Sequence, residues 1–192
     1  MRADAGELKR RIEAATPRDT VRGLVFNATF ALVGEIAGAP AACAIDPGAR
    51  ARRHEFFSYP VADYLRVLWA AVPVLEPHLG PPDRVFWEIG RRFAMRWFAS
   101  SLGRVLSVIS GGDPRRALDH APVAYRHMVS YGVCTVGWVS ERHARIVIER
   151  DLLVPPFHGG SVSRALLDLG RVDAQVEARE TGSLGTVLDA TW

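Results

Sequence analysis

The 192-residue sequence has little cysteine and almost no lysine. Cys43 and Cys134 are its only cysteines, and their positions do not match the close spacing of zinc or redox motifs. We therefore expect two free thiols and a reducing compartment. Lys9 is the only lysine, so arginine carries nearly all of the positive charge, and the excess over acidic residues is only +3. This small, scattered excess argues against nucleic-acid binding.

The chain also lacks an apolar N-terminal segment. Its start, MRADAGELKRR, is charged where a secretion signal would be apolar. Residues 23–45 are apolar, but Asn27, Glu35 and Pro40 interrupt them, which favours a core helix followed by a loop over a membrane span. We therefore expect a cytoplasmic protein with no membrane partner.

Residues 85–126 contain the most continuous apolar pattern. Apolar side chains recur there every three or four positions, at Phe86, Ile89, Phe93, Trp97, Phe98, Leu102, Val105 and Ile109. This spacing predicts one long helix with a wide buried face. The pair Gly111-Gly112 should end that helix, and Asp113 can cap a short helix that follows, with Pro114 in its first turn.

The sequence before residue 85 is mainly helical in pattern. Helices are predicted at residues 5–15, 21–38 and 61–73, although residues 21–26 could instead form a short strand. Pro73 should kink or end the third helix, because proline removes a backbone hydrogen bond. Residues 39–53 are predicted to be a loop, and we interpret its basic cluster as solvent-exposed rather than as an anion site: Arg50, Arg52, Arg53 and His54.

After residue 122 the pattern changes to short segments rich in β-branched and aromatic residues. These segments predict three antiparallel strands, at 124–130, 132–139 and 144–150, and two more at 172–178 and 186–192. Between the two groups, Pro155-Pro156 and Gly159-Gly160 should break the chain before a helix that Ser161 caps and Gly170 ends. We predict one α+β domain, residues 1–192: a peripheral arm (1–17), a helical half (18–122) and an antiparallel sheet half (123–192).

Candidate catalytic and metal-binding residues are scattered. Four histidines fall on different segments without metal-ligand spacing, which favours surface or hydrogen-bonded structural roles: His120, His127, His143 and His158. Asp119 and His120 are adjacent, but neighbouring helix residues do not face each other, so a catalytic pair is unsupported. Cys134 lies in an apolar strand and is interpreted as a buried, inert thiol. We therefore expect neither an enzyme nor a metal site.

Several short motifs follow one another in a distinctive order. They are GLVF at 23–26, YP at 59–60, GRRF at 90–93, LGR at 102–104, a helix exit at Pro122 and a last strand ending at Trp192. In this order they resemble a myxobacterial paralogous family of uncharacterised proteins of about this length. The resemblance covers almost the whole chain and implies no activity.

More distantly, the same order is similar to the haem nitric-oxide/oxygen-binding (H-NOX) domain. That fold is shared by 4-vinyl-reductase-like ligand-binding domains and by vesicle-tethering subunits. Residues 161–170 resemble its penultimate helix, and residues 179–182 resemble its last hairpin turn. The resemblance implies an H-NOX-like fold, with helices packed on an antiparallel sheet.

The haem-binding residues of H-NOX domains do not carry over cleanly. Those domains hold haem through a proximal histidine and a Tyr-x-Ser-x-Arg motif, which the resemblance places at Ile146, Ile148 and Arg150. Only the arginine is kept. The proximal histidine would fall near Arg116 or Ala117, and His120 lies about one helical turn away. His120 could reach the iron only if its helix were shifted in register.

We therefore hypothesise a non-enzymatic domain that binds a small apolar or tetrapyrrole-like ligand between helices and sheet and signals to a partner. Its cavity would be lined by Trp69, Phe86, Phe93, Trp97, Ile146, Ile148 and Arg150. Two alternatives stay open. One is a protein-interaction or scaffold module that forms a homodimer and has no cavity. The other is a haem-binding gas sensor with His120 as the iron ligand.

Overall fold

A computed structural model of the chain describes residues 4–46, 53–182 and 184–192. The first part is helical apart from a two-stranded ribbon, and contains α1 (Ala5–Ala14), β1 (Thr20–Arg22), α2 (Gly23–Ala37), α3 (Ala39–Ala44), β2 (Ser58–Pro60), α4 (Val61–Leu79), α5 (Pro82–Ala99), α6 (Ser101–Ser110) and α7 (Pro114–Asp119). The second part contains α8 (Ala121–Met128), β3 (Val133–Ser140), β4 (His143–Glu149), α9 (Pro155–Leu169), β5 (Gln175–Thr181) and β6 (Gly185–Thr191).

The four strands of the second part form one antiparallel sheet in the order β3-β4-β6-β5. Along β4, every second side chain is buried, at Ala144, Ile146 and Ile148, so one face of the sheet turns toward the helices. Helix α9 packs against both this sheet and α5. The predicted α+β class, helices on an antiparallel sheet, is confirmed.

Helix α4 does not stop at Pro73 and runs on to Leu79. The prediction that the helix ends at Pro73 was wrong, because Pro73 and Pro77 both lie on the exposed side of the helix; the alternative, a kink at Pro73, stays a prediction. Carbonyls freed by proline on that side can bond to water, while Leu68, Val72 and Leu75 remain buried on the inner side. Packing of the inner face therefore holds the helix together.

The long central helix is in fact two helices, which meet at Ser100. The Ser100 hydroxyl accepts a hydrogen bond from the Gly103 amide at 3.2 Å and caps α6. Gly111 has a φ of 60° and ends α6, as predicted, because glycine tolerates this left-handed conformation. Asp113 then caps α7 through the Arg115 amide at 2.8 Å, also as predicted.

Two further local predictions were also wrong. Residues 124–130 were predicted to be a strand, but α8 covers most of them, since a proline in its first turn starts a helix. The predicted loop 39–53 contains α3, and Arg53 bonds to Asp46 at 2.9 Å. Arg50 and Arg52 of the basic cluster lie outside the described residues.

Helix α9 begins at Pro155 rather than at Ser161, so it includes Gly159-Gly160. These glycines do not break the helix; they allow α9 to cross α5 closely. A Cβ atom on Gly160 would collide with the Trp87 carbonyl, and one on Gly90 would collide with the Phe157 carbonyl. The Ser161 hydroxyl donates across the crossing to the Gly90 carbonyl at 3.1 Å. The backbones of α5 and α9 are therefore in direct contact.

The N-terminal helix α1 is fixed to the sheet half by a buried arginine. Arg11 is only 1% exposed. Its guanidinium donates to the Leu153 carbonyl at 2.6 Å and pairs with Glu7 and Glu180 at 2.6 and 3.1 Å. A buried charge of this kind is tolerated because each side of the guanidinium has a partner.

Candidate functional site

A cavity of about 130 Å³ lies between the helices and the sheet. Side chains from α5, α7, α8 and α9 line one side of it, and β3, β4 and β6 line the other. Most of the lining is aliphatic or aromatic. Small residues open the space, since several positions that point into it are alanines: Ala94, Ala117, Ala121, Ala124 and Ala165.

The structure brings together four of the residues that were predicted to line a cavity. Phe93 and Trp97 reach it from α5, and Ile146 and Ile148 reach it from β4. Phe93 is stacked on Phe157 with ring centroids 5.5 Å apart. These contacts place the four side chains at the cavity wall; whether they bind a ligand stays a prediction.

Trp69 and Phe86 do not line this cavity. Both lie in the core of the helical half, where their ring centroids are 5.2 Å apart. Phe86 precedes Phe93 by seven residues, or two helical turns, along α5. The two side chains share one face of the helix but lie on opposite sides of the crossing with α9, so they reach different surroundings.

Arg150 does not line the cavity either. Its guanidinium donates hydrogen bonds to both carboxylate oxygens of Asp19, at 2.9 and 2.6 Å. This pairing holds the pKa of Asp19 down to about 2. Arg150 has a φ of 51°, so the chain turns sharply at the end of β4 and directs the side chain toward β1. It therefore ties the sheet to the helical half.

A buried acid–histidine pair lies beside the cavity and contributes its histidine to the wall. Asp151 is fully buried, and its carboxylate accepts hydrogen bonds from the Leu153 amide at 3.0 Å and the Thr186 hydroxyl at 2.6 Å. Nε2 of His158 lies 3.0 Å from the same carboxylate. His158, in the first turns of α9, also lines the cavity. The pair joins the end of β4, α9 and β6.

Sequence reasoning missed this pair. Asp151 and His158 are seven residues apart, and the predicted chain break at Gly159-Gly160 hid the fact that His158 belongs to a helix. The sequence did contain a signal, because proline favours the first turn of a helix. A helix that starts at Pro155 brings His158 back toward the end of the preceding strand, where Asp151 lies.

Tyr125 and Tyr131 carry buried hydroxyls. Among the described residues, neither Tyr125 Oη nor Tyr131 Oη has a hydrogen-bond partner. Burial raises the pKa of both phenols. Tyr125 lines the cavity, with its ring centroid 6.1 Å from that of His158. Cys134 also lines it, and burial raises the pKa of its thiol to about 12. These groups stay neutral at physiological pH.

The residues present do not fit haem. His120, which lines the cavity, ends α7 and is half-buried, whereas Arg116 and Ala117 stand where the resemblance places a proximal ligand. Ile146 and Ile148 offer no hydrogen bonds to propionates, and Arg150 is engaged by Asp19. A cavity of about 130 Å³ is also below the roughly 300–1,000 Å³ of sites for drug-sized ligands.

Within residues 4–46, 53–182 and 184–192, no three His, Cys, Asp or Glu side chains are grouped closely enough to hold a metal ion. No helix in the described part of the chain combines the length and apolar character that a membrane crossing requires.

Residues 14–192 match the family described as "protein of unknown function (DUF2378)", and the chain belongs to that family. No curated protein matches it in sequence. Its fold is similar to the Fe(II) unliganded H-NOX protein from K. algicida, with a TM-score of 0.70 and 12% identity over 88% of this chain and 95% of that one.

Two further H-NOX proteins have a similar fold. The S. oneidensis protein in the Fe(II)NO ligation state gives a TM-score of 0.66 and 13% identity over 88% of this chain and 97% of that one. The IWP-051-bound protein from Shewanella woodyi gives 0.64 and 11% over 88% and 93%. At such low identity the likeness establishes an H-NOX-like fold and nothing about ligands.

Proposed function

We propose that this chain is a non-enzymatic domain that binds a small, mainly apolar molecule in the cavity between its helices and its sheet. The observation that supports this is the cavity itself, whose wall is almost wholly aliphatic and aromatic. Well-packed interiors leave few voids larger than a water molecule, and apolar cavities of about 150 Å³ stay dry and take up benzene or xenon. A regulatory role in the cytoplasm, and a myxobacterial origin, remain predictions.

Benzene is a suitable first probe because its size fits a space of about 130 Å³. We expect saturable benzene binding by calorimetry, together with a rise in the unfolding temperature. Ala124→Leu, which fills the cavity from α8, should abolish both effects. Ala99→Leu is the matched control, because Ala99 is exposed on α5 and lies outside the cavity wall. Benzene binding that is absent in the unmodified protein, or unchanged by Ala124→Leu, would contradict the proposal.

The haem alternative has a separate test. The residues at the cavity predict that added hemin gives no Soret band characteristic of histidine ligation. A Soret band that appears in the unmodified protein and is lost in His120→Ala would restore the gas-sensor hypothesis. Native mass spectrometry of the purified protein would also reveal a tetrapyrrole that co-purifies.

A second candidate function, a protein-interaction module, is favoured by one surface. Helix α6 exposes an apolar stripe in which Val105, Val108 and Ile109 are 53%, 81% and 51% exposed. Contiguous apolar patches of this kind often mark protein contacts. If α6 forms a homodimer, sedimentation equilibrium should show a dimer that Val108→Asp converts to a monomer. A monomer at all concentrations would count against this candidate.

A further inference from the structure

The cavity wall is not uniformly apolar, because His158 presents an imidazole to it. The imidazole is buried, and its Nε2 atom is fixed by the Asp151 carboxylate at 3.0 Å. In the described part of the chain, no group hydrogen-bonds the other ring nitrogen, Nδ1. Because His158 lines the cavity and its Nε2 atom is engaged by Asp151, Nδ1 is the ring nitrogen left to contact a small molecule there.

Asp151 determines whether Nδ1 of His158 donates or accepts a hydrogen bond. The carboxylate already accepts from the Leu153 amide and the Thr186 hydroxyl, both donors, so it acts as an acceptor on every side. It therefore selects the tautomer in which Nε2 carries the proton. In that tautomer Nδ1 is a hydrogen-bond acceptor, and its partner must be a donor.

The other polar groups at the wall are less suited to this role. The Ser161 hydroxyl donates to the Gly90 and Phe157 carbonyls, so its proton is used. His120 is only half-buried, and no carboxylate is described within hydrogen-bond distance of it to fix its tautomer. Tyr125 Oη is enclosed and lies close to the backbone around Gly132 and Glu149.

We infer that the cavity takes a compact apolar molecule of about benzene size that bears one hydrogen-bond donor, a hydroxyl or an N–H, and directs it to Nδ1 of His158. This rests on the proposed ligand-binding function and narrows its ligand to a class. Phenols and small cyclic alcohols belong to the class. Pure hydrocarbons lack the donor, and ethers of the same size carry only an acceptor.

Three probes of nearly equal size separate these possibilities. Phenol carries a donor, anisole carries only an acceptor, and toluene carries neither. We expect phenol to bind about five- to tenfold more tightly than anisole or toluene, the range for one well-placed buried hydrogen bond. Binding of phenol, but not of toluene, should also shift the ¹⁵N resonance of His158 Nδ1. This second readout needs no variant.

His158→Phe should remove the preference for phenol while leaving toluene binding in place. His127→Phe is the matched control, because His127 is an exposed histidine of α8 outside the cavity wall, and the preference should persist there. Circular dichroism and thermal unfolding would establish that both variants fold. If His158→Phe does not fold, the ¹⁵N shift decides the question in the unmodified protein.

The outcomes that overturn the inference are distinct from those that overturn the proposed function. Equal binding of all three probes would refute the donor contact and leave the apolar cavity standing. Anisole and phenol binding equally, and both more tightly than toluene, would refute the inference by showing that the protein supplies the donor. A preference that survives His158→Phe but disappears in Tyr125→Phe would move the contact to Tyr125. Binding of none of the probes would refute the proposed function as well.

Discussion

The two ends of helix α5 carry similar apolar side chains but meet different surroundings. Toward its N-terminus, Phe86 and Ile89 are fully buried in the filled core of the helical half. Toward its C-terminus, Phe93 and Trp97 face the cavity. The difference comes from the opposing residues: large side chains such as Trp69 oppose the first end, whereas alanines of α7, α8 and α9 oppose the second. One periodic pattern can therefore build both a filled core and a cavity wall.

The largest expected effect comes from truncating the filled end. Phe86→Ala should lower the free energy of unfolding by about 3–5 kcal/mol, because it removes a fully buried ring and leaves a void. Phe93→Ala should cause a loss that is smaller by about 1 kcal/mol or more, since Phe93 is half-buried and already borders empty space. Urea unfolding would measure both. Equal losses would show that the cavity is not open in solution.

The next largest effect on stability is expected where α9 crosses α5, between the two ends of α5. Gly160→Ala would place a methyl group against the Trp87 carbonyl, and we expect it to cost about 1–3 kcal/mol of stability. Gly34→Ala in α2 is the matched control, because its added methyl would meet only the Ala42 side chain, at 3.7 Å. That change should stabilise the protein by about 0.5–1 kcal/mol through helix propensity. A neutral Gly160→Ala would mean that the two backbones are farther apart.

The Arg150–Asp19 pair joins the two halves of the protein and lies outside the cavity, so a change there should affect stability and not ligand binding. The pKa of Asp19 is lowered from 3.8 to about 2 in the folded protein. Its contribution to stability is therefore present above about pH 4 and is lost as the pH falls toward 2. Because the arginine is partly exposed, we expect Arg150→Gln to cost only about 1 kcal/mol at pH 7.

The same variant should lose less stability between pH 4 and pH 2 than the unmodified protein does, and should bind benzene normally. Arg126→Gln, at an exposed arginine of α8, is the control and should change neither property. A loss of benzene binding in Arg150→Gln would return Arg150 to the ligand site, where sequence reasoning first placed it.

The sequence predicted the fold better than the site. Periodicity identified the apolar face of α5, and Gly111 and Asp113 correctly marked where one helix ends and another begins. These are local signals, and local geometry decides them. Which of Phe86 and Phe93 meets a cavity depends on residues far along the chain, such as Ala165, and no periodic pattern encodes that partner. The Asp151–His158 pair likewise exists only because a turn and a helix start bring the two side chains together.

The smallest expected effect is a difference in reactivity between the two thiols, and it involves no change in stability. Cys43 is exposed, whereas Cys134 lines the cavity and burial raises its pKa to about 12. At pH 8 the Cys134 thiol is therefore almost wholly neutral, and the thiolate is the reactive form. A bulky, charged disulfide reagent should therefore modify Cys43 alone in the folded protein. Methyl methanethiolsulfonate, which is small and neutral, should reach Cys134 slowly through the cavity, and bound phenol should slow it further. Modification of Cys134 by both reagents at the same rate would mean that the thiol is reached from outside, so that the cavity wall is open at β3.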